Sequence, residues 1–350
     1  MSSTPSRKTL AIDGGTPAHK TPWRDGPFHH STELRVLEKV LSGPKLPLAR
    51  GKWVMAYRQH LQDLYGMKYA IPTSSGTTAI HVALYAAGVG AGDEVIVSPL
   101  TDYGSIIGIF QLNAIPVFAD VVADSFLMDV QSIAACITPH TKAIMPVHNG
   151  GYAVDMPALM KLSRKHRIPI VEDCAQSHLS SIGGRYLGTF GDLGVWSTNE
   201  SKHMKSGEGG FVLTNSKKLA EKAELFSDKC YPRFPGAPET PAFPALNVAS
   251  ERCQCGTGIR ATQEAARLGE ETAGLRSSLR GGDRWCARDP HYTEAERGSP
   301  QLLVGQFRRG RRCLRRRRWR VLPHVVGGGD SRRCPVAAVC AQLGGLPSTP

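Results

Sequence analysis

The chain has 350 residues, of which 41% are hydrophobic, and a formal net charge of +13. This length is enough for two domains or for one large domain with a substantial core. The first residues lack the apolar segment of a secretory signal, and no run of about 18 apolar residues predicts a membrane span. Membrane and secreted proteins are therefore disfavoured, and a cytoplasmic protein is expected.

The positive charge is concentrated at the end of the chain. Residues 1–247 carry 24 Lys+Arg against 21 Asp+Glu, a net charge of +3, together with three cysteines. Residues 248–350 carry 19 arginines, no lysine, nine acidic residues and six cysteines, a net charge of +10. The chain therefore joins two different compositions. Its overall charge describes neither of them and does not by itself predict binding to nucleic acid.

From Tyr69 onwards, helical and extended patterns alternate. A small-residue turn opens an apolar helix that Gly88 ends, Asp155 is placed to cap another, and an exposed helix is predicted at 216–226. Short apolar strands are predicted at 95–97, around Val117, at 141–148, at 168–173 and at 211–214. This alternation predicts an α/β fold with a mostly parallel sheet that helices cover on both faces.

Polar residues follow these strands, where ligands of such sheets bind. The set consists of Ser74, Ser75, Gly76 and Thr77 before the first apolar helix, Asp173 and Gln176 after IPIVE, and Ser197 and Lys202 after GDLGVW. Each has an ordinary explanation when taken alone. Ser75 is a common helix cap, a strand-end aspartate often forms a turn, and a lone lysine is usually solvated surface.

Taken together, these residues have a more specific interpretation. A phosphate cradle at a helix N-terminus, a carboxylate, and a lysine 29 residues after that carboxylate are the groups that pyridoxal phosphate requires. The lysine binds the cofactor covalently, and the carboxylate keeps the pyridine nitrogen protonated. The combination predicts a pyridoxal phosphate site and no metal site.

The motifs SSGTTAIHVAL, AGDEVIV, PVFADV, AIMPVH, VEDCAQSH and S-x-x-x-x-K followed by GEGG occur in this order. In this order they resemble the DegT–DnrJ–StrS family of sugar aminotransferases, over about residues 10–247. The resemblance implies the aspartate-aminotransferase-like fold (fold type I), with residues 1–247 as the large cofactor-binding domain. It also implies a small C-terminal domain, which is not recognisable in this chain.

By this resemblance, Lys202 rather than Lys205 is the lysine that binds the cofactor, because it stands five residues after Ser197 and five before Gly207. Asp173 matches the partner of the pyridinium nitrogen, and Gln176 matches the group beside the phenolic oxygen of the cofactor. Gly76, Thr77 and Ser197 match the phosphate cradle. Asn247 resembles an asparagine that reaches the phosphate in the neighbouring subunit, which implies a homodimer with shared sites.

The family also implies an activity, namely transfer of an amino group from glutamate or glutamine to a nucleotide-linked keto-sugar or a keto-cyclitol. Two alternatives stay open. The protein catalyses another reaction on the same cofactor, such as sugar dehydration, or it is an inactive or regulatory relative of the family. Asp102 stands where the family often has a ring-stacking aromatic, with Tyr103 beside it. His203 is one place away from the position at which a histidine replaces the lysine in dehydratases, so the aminotransferase interpretation is preferred.

Residues 248–350 have no counterpart in this family and predict no recognisable fold. Cys253 and Cys255 are closer together than the usual zinc-binding spacing. The segment RRGRRCLRRRRWR is a candidate nucleic-acid-binding arm, although a nucleic-acid partner is not favoured. The preferred hypothesis is a shifted reading frame, since the abundance of Arg, Gly and Cys is typical of neither globular nor functional low-complexity sequence.

Overall fold

The computed structural model describes residues 31–43, 51–231, 234–237, 239–250 and 252–279. The helices are α1 (Ser31–Leu41), α2 (Lys52–Tyr65), α3 (Gly76–Ala87), α4 (Tyr103–Phe110), α5 (Val130–Ala135), α6 (Met156–His166), α7 (Lys217–Ser227) and α8 (Arg252–Leu279). The strands are β1 (Tyr69–Thr73), β2 (Glu94–Val97), β3 (Ile115–Phe118), β4 (Thr141–Met145), β5 (Val171–Asp173), β6 (Ser181–Ile182), β7 (Arg185–Tyr186), β8 (Leu193–Ser197) and β9 (Gly210–Thr214). Within these residues, no helix is long and apolar enough to cross a membrane.

The central sheet has the strand order β3-β2-β4 followed by β5-β8-β9-β1. Single bridges, Ile144 with Ile170 and Val147 with Asp173, continue the parallel pairing from β4 to β5. β2 is parallel to β3 and β4, and β5 is parallel to β8, whereas β9 runs antiparallel to β8 and β1. The mostly parallel sheet is thus confirmed. β5 and β8 end side by side at its carboxyl edge.

Helices cover both faces of this sheet. On β8 and β9, Trp196 and Phe211 pack into one core beneath α2 and α6, whereas Val195 and Val212 pack into the other beneath α3 and α7. The predicted helix ends are observed, since Ser75 caps α3, Gly88 ends it in the left-handed conformation, and the Asp155 carboxylate accepts from Ala158 N. The helix predicted as exposed, α7, buries its Ala220, Ala223 and Phe226 face.

Within the segment for which no recognisable fold was predicted, residues 252–279 form the helix α8. This helix packs against α1 and α2. Gly256 and Gly258 allow the close approach, because a Cβ on Gly258 would lie 2.7 Å from the Tyr57 ring. Cys255 and Ile259 lie four positions apart, which is helical spacing, and both are buried. Because the segment has so few large apolar residues, its sequence pattern did not predict a helix. The rest of the proposed tail, residues 280–350, lies outside the described residues.

Candidate active site

A cavity of about 300 Å³ lies at the carboxyl edge of the sheet. Its walls are formed by Ser75, Gly76, Thr77, Ile80, Thr101, Asp102, Gly104, Ser105, Val147, Asp173, Ala175, Gln176, Ser197, Asn199, Ser201, Lys202 and Glu208. Six of the seven predicted site residues therefore line one cavity, and Asn247 does not. Residues that are 126 positions apart in sequence meet here because α3 starts next to the ends of β5 and β8.

One wall of the cavity, at the start of α3, has the donor groups of an anion site. The Ser75 hydroxyl accepts a hydrogen bond from Thr78 N at 3.1 Å, while Gly76 N and Thr77 N, at the helix N-terminus, cannot be paired within the helix. Ser197 faces them, so closely that a Cβ on Gly76 would lie 2.6 Å from its Cβ. Two backbone amides and one hydroxyl thus surround a space suited to a phosphate.

The GEGG turn approaches the same wall from the other side. A Cβ on Gly210 would lie 2.5 Å from the carbonyl oxygen of Ser75, and Gly207 has a φ of +94°. Both positions favour glycine, the first for space and the second for its backbone conformation. The turn therefore passes close to the wall of the cavity that the start of α3 forms.

Asp173 forms the carboxylate wall. It is 3% exposed, and it accepts hydrogen bonds from Ser105 Oγ at 2.7 Å and from Ala175 N at 3.0 Å. Burial raises the pKa of Asp173, whereas the Ser105 and Ala175 hydrogen bonds, His148 and Lys202 act to lower it. These two donors use only part of the acceptor capacity of the carboxylate, and Asp173 lines the cavity.

Ser105 is a site residue that sequence reasoning missed. It lies on α4, 68 positions before Asp173, and its own hydroxyl is 2.7 Å from Thr101 Oγ1. Since the Ser105 hydroxyl donates to Asp173, the Thr101 hydroxyl donates to Ser105, and a chain of two hydroxyls orients the carboxylate. The four-residue spacing of Thr101 and Ser105 after a strand was the only available signal.

Lys202 lies on a loop between β8 and β9 that closes on itself. Lys202 N donates to Asn199 O at 2.9 Å, Thr198 N donates to Gly209 O at 2.8 Å, and Ser206 N donates to Thr198 O at 2.9 Å. Lys202 lines the cavity, but Lys205 does not. This placement agrees with the prediction that Lys202 and not Lys205 is the functional lysine.

The remaining predicted residues differ in their placement. Gln176 lines the cavity, and its Oε1 accepts from Gly150 N at 3.0 Å. Asn247 is exposed on the surface, where its Oδ1 accepts from Lys229 Nζ at 3.0 Å. Asp102 lines the cavity and caps α4 by accepting from Gly104 N, whereas Tyr103 is 65% exposed and not part of the wall. No aromatic side chain is present among these wall residues.

A second cluster of ligand-type side chains, His148, Glu172 and Cys174, lies buried beside the cavity. Two of its three groups, the His148 ring and the Glu172 carboxylate, are already paired. Val154 N donates to His148 Nδ1 at 3.3 Å, so that Nε2 carries the proton and donates to Glu172 at 3.1 Å. Glu172 also accepts from Gly188 N and Gly191 N. These bonds occupy the lone pairs that a metal ion would need, so the cluster is a structural network.

The residues of the cavity fit pyridoxal phosphate. The cofactor needs an anion site for its phosphate, a carboxylate for its ring nitrogen and an amine for its aldehyde. The α3 amides with Ser197 provide the first, the partly satisfied carboxylate of Asp173 the second, and Lys202 the third. All three belong to one cavity, which is the arrangement that the sequence motifs predicted.

Known proteins agree with this assignment. Residues 28–258 match the profile of the DegT/DnrJ/EryC1/StrS aminotransferase family. Over 236 residues the chain is 36% identical to L-glutamine:2-deoxy-scyllo-inosose aminotransferase of Streptomyces kanamyceticus, covering 63% of this chain and 54% of that protein. The chain spans about half the length of the curated relatives that it matches.

Solved structures give the same result. An aminotransferase from Psychrobacter cryohalolentis is 32% identical with a TM-score of 0.65, covering 74% of this chain and 67% of the other. DesV of S. venezuelae, in complex with a ketimine intermediate, is 27% identical with a TM-score of 0.62, covering 71% and 67%. The predicted family and fold class are confirmed, and pyridoxal phosphate is supported as the cofactor. The chain belongs to the DegT/DnrJ/EryC1/StrS aminotransferase family.

Proposed function

We propose that this protein transfers an amino group from glutamine or glutamate to a keto-cyclitol or a nucleotide-linked keto-sugar, with pyridoxal phosphate as cofactor. The observation that carries the proposal is the meeting of Lys202, Asp173 and Ser197 in one cavity. The names of the curated relatives favour glutamine as donor and a keto-cyclitol as acceptor, since several are L-glutamine:scyllo-inosose-type aminotransferases.

Each wall residue has a distinct task in this reaction. When bound, pyridoxal phosphate withdraws electrons from the substrate carbon that loses its proton. Lys202 Nζ is the amine in the wall that accepts this proton and returns it to a different carbon. Asp173 supplies negative charge at the opposite wall, and Ser105 fixes its direction. The α3 amides and Ser197 bind the phosphate and hold it in place.

The test compares two neighbouring lysines. After incubation with pyridoxal phosphate and reduction with borohydride, peptide mass spectrometry should locate the cofactor on Lys202. Lys202→Ala should lose this modification and slow amino transfer by about 10⁴-fold, the upper scale of a proton-transfer group, with the fold kept. Lys205→Ala is the matched control and should retain both. A modified Lys205, or an active Lys202→Ala variant, would refute the assignment.

The homodimer predicted from the family is part of this proposal. Leu100 and Tyr103, which adjoin the cavity residues Thr101 and Asp102 in sequence, are 44% and 65% exposed, and Phe126 is 45% exposed. The side chain of Asn149 bonds the carbonyls of Leu100 and Phe126 and so holds two of them together. An exposed apolar patch of this kind supports a subunit interface. Asn247 is exposed and does not line the cavity of its own subunit, so it is available to the cavity of a neighbouring subunit.

Mixing inactive variants tests the shared site. Lys202→Ala and Asn247→Ala copies, each weakly active, should regain activity when co-expressed, because a mixed dimer contains one site with both residues intact. Unchanged activity on mixing, or a monomer by sedimentation, would refute the shared site. A cytoplasmic location stays a prediction.

A shifted reading frame also stays a proposal for the end of the chain. Its support is the Arg-, Gly- and Cys-rich composition after residue 247 and the coverage of only about half of the relatives' length. Sequencing of the gene around codons 245–252 tests it. Restoring one base there should encode a continuation that aligns with the remaining part of the relatives. If no frame encodes such a continuation, the hypothesis is wrong.

A further inference from the structure

Behind the phosphate-binding wall, the backbone of Ser197 is held by a buried histidine. The Ser197 carbonyl accepts from His178 Nε2 at 2.8 Å. His178 Nδ1 is 3.2 Å from the hydroxyl of Tyr65. His178 is 2% exposed and Tyr65 is 4% exposed, so solvent competes with neither bond. Neither residue lines the cavity.

These partners fix the tautomer of His178. A carbonyl oxygen can only accept, so Nε2 carries the proton. Nδ1 then has a lone pair and accepts the hydrogen of the Tyr65 hydroxyl. Burial is the main reason that the pKa of His178 is lowered to about 3. The hydrogen bond to Ser197 acts to raise this pKa, and His203 and Lys202 lower it further by smaller amounts. His178 is therefore neutral, and its bond to Ser197 does not depend on pH near neutrality.

The position of the Ser197 hydroxyl follows from its backbone. Gly76 abuts the Cβ of Ser197, and Asn199 N donates to its Oγ at 3.3 Å. The His178 bond holds the carbonyl. A tilt of this peptide would carry Ser197 Oγ away from the two α3 amides that it faces. Ser197 is thus fixed at its Cβ, at its hydroxyl and at its carbonyl.

From this geometry we propose that His178, oriented by Tyr65, is a positioning residue that holds Ser197 against the phosphate of the cofactor. It acts only through Ser197. The proposal rests on the proposed function, since it concerns the same cofactor. It assigns to His178 the selectivity for a phosphorylated cofactor over its dephosphorylated form, pyridoxal, which also reacts with Lys202 but has no phosphate for Ser197 to bind.

Two amides of different length provide the test. Gln at position 178 can place its N–H₂ near the site of Nε2 and keep the bond to Ser197, whereas Asn reaches only as far as Nδ1 and loses it. Dissociation constants for pyridoxal phosphate and for pyridoxal are measured by absorbance on the full chain. His178→Asn should weaken pyridoxal phosphate binding by about tenfold, the scale of one hydrogen bond, and pyridoxal binding by less than about twofold. His178→Gln should resemble the unchanged protein.

Non-additivity is the second measurement. Ser197→Ala should also cost about tenfold for pyridoxal phosphate alone, and adding His178→Asn to it should cause little further loss, because both changes remove the same contact. Equal weakening of both ligands by His178→Asn, or full additivity with Ser197→Ala, would show a merely structural histidine and overturn the proposal. If His178→Asn does not fold, Tyr65→Phe takes its place as the test. If Tyr65→Phe keeps the unchanged selectivity for pyridoxal phosphate over pyridoxal, the proposed role of His178 and Tyr65 is overturned. If the unchanged protein binds neither ligand, the proposed function itself fails.

Discussion

β5 contains two adjacent buried carboxylates, Glu172 and Asp173, which have different roles on the two sides of the strand. Glu172 is fully buried and accepts from His148 Nε2, Gly188 N and Gly191 N. Asp173, one residue later, points to the opposite side and accepts from Ser105 Oγ and Ala175 N. Glu172 accepts from three donors of the scaffold, whereas Asp173 accepts from two and lines the cavity. The number of unused acceptor sites, and not burial, distinguishes the chemical carboxylate from the structural one.

Replacing each carboxylate by its amide tests this comparison, and the largest effect is expected at Glu172. In Glu172→Gln, an N–H₂ group must face at least one of the three buried donors. The free energy of unfolding should fall by about 3 kcal/mol, the cost of breaking a buried charged network. Denaturant titration measures it. The folded fraction should retain its rate of amino transfer, and an unchanged stability would contradict the structural role.

Asp173→Asn should show the opposite profile. Its unfolding free energy should change little, because the amide oxygen still accepts from Ala175 N, the Ser105 hydroxyl can rotate to accept from the amide N–H₂, and burial no longer opposes a charge. Loss of the negative charge should slow the half-reaction with the amino donor by about 100-fold, or about 2.7 kcal/mol in the barrier. Stopped-flow absorbance measures this rate. If Asp173→Asn lost stability and kept its rate, the two carboxylates would have been assigned the wrong way round.

Much of this site was predictable from the sequence because its residues follow strands at fixed spacings. Lys202 is identified by its distances from Ser197 and Gly207, and Gly76 and Thr77 by the small-residue turn before α3. Two strands of the central sheet were missed, β1 and β8. β1 contains Pro72, which is tolerated because β1 lies at the edge of its sheet, and β8 contains Gly194, which weakens a strand pattern.

The contacts that act across the chain were not predictable. Ser105 meets Asp173 only because α4 and β5 converge at one edge of the sheet, and no spacing in the sequence connects them. The sequence also did not predict which face of β5 lines the cavity, since a Glu-Asp pair in a buried strand does not show which of the two residues faces it. Helix α8 was missed because small residues, including Gly256 and Gly258, make its contacts.

A smaller effect is expected when the support of Asp173 is changed instead of its charge. Ser105→Ala removes the hydroxyl that donates to Asp173 Oδ2, so that Ala175 N is the remaining donor described for the carboxylate. The half-reaction should slow by about tenfold or less, the scale of one hydrogen bond. Ser105→Thr, which retains a hydroxyl, is the matched control. A loss as large as that of Asp173→Asn would mean that Ser105 itself contacts the reacting groups.

The smallest effect concerns how stability depends on pH in the cofactor-free protein. Burial raises the pKa of Asp173 above its usual 3.8, and the hydrogen bonds from Ser105 and Ala175 partly offset this. The folded state therefore holds the proton to a higher pH than the unfolded state. The contribution of Asp173 to stability is present below pH 3.8 and is lost as pH rises through its folded pKa.

His178 acts in the opposite direction. Its pKa is lowered to about 3, so the folded protein loses stability as pH falls from 6.5 towards that value. Because both groups titrate in overlapping ranges, the informative quantity is the difference in unfolding free energy between the unchanged protein and Asp173→Asn, measured at several pH values. The unchanged protein should lose stability relative to the variant as pH rises from about 4. Ser105→Ala should steepen this loss, since it removes a bond that favours the charged form. A difference that stays constant with pH would mean that the carboxylate on the cavity side is solvated as freely as in the unfolded chain.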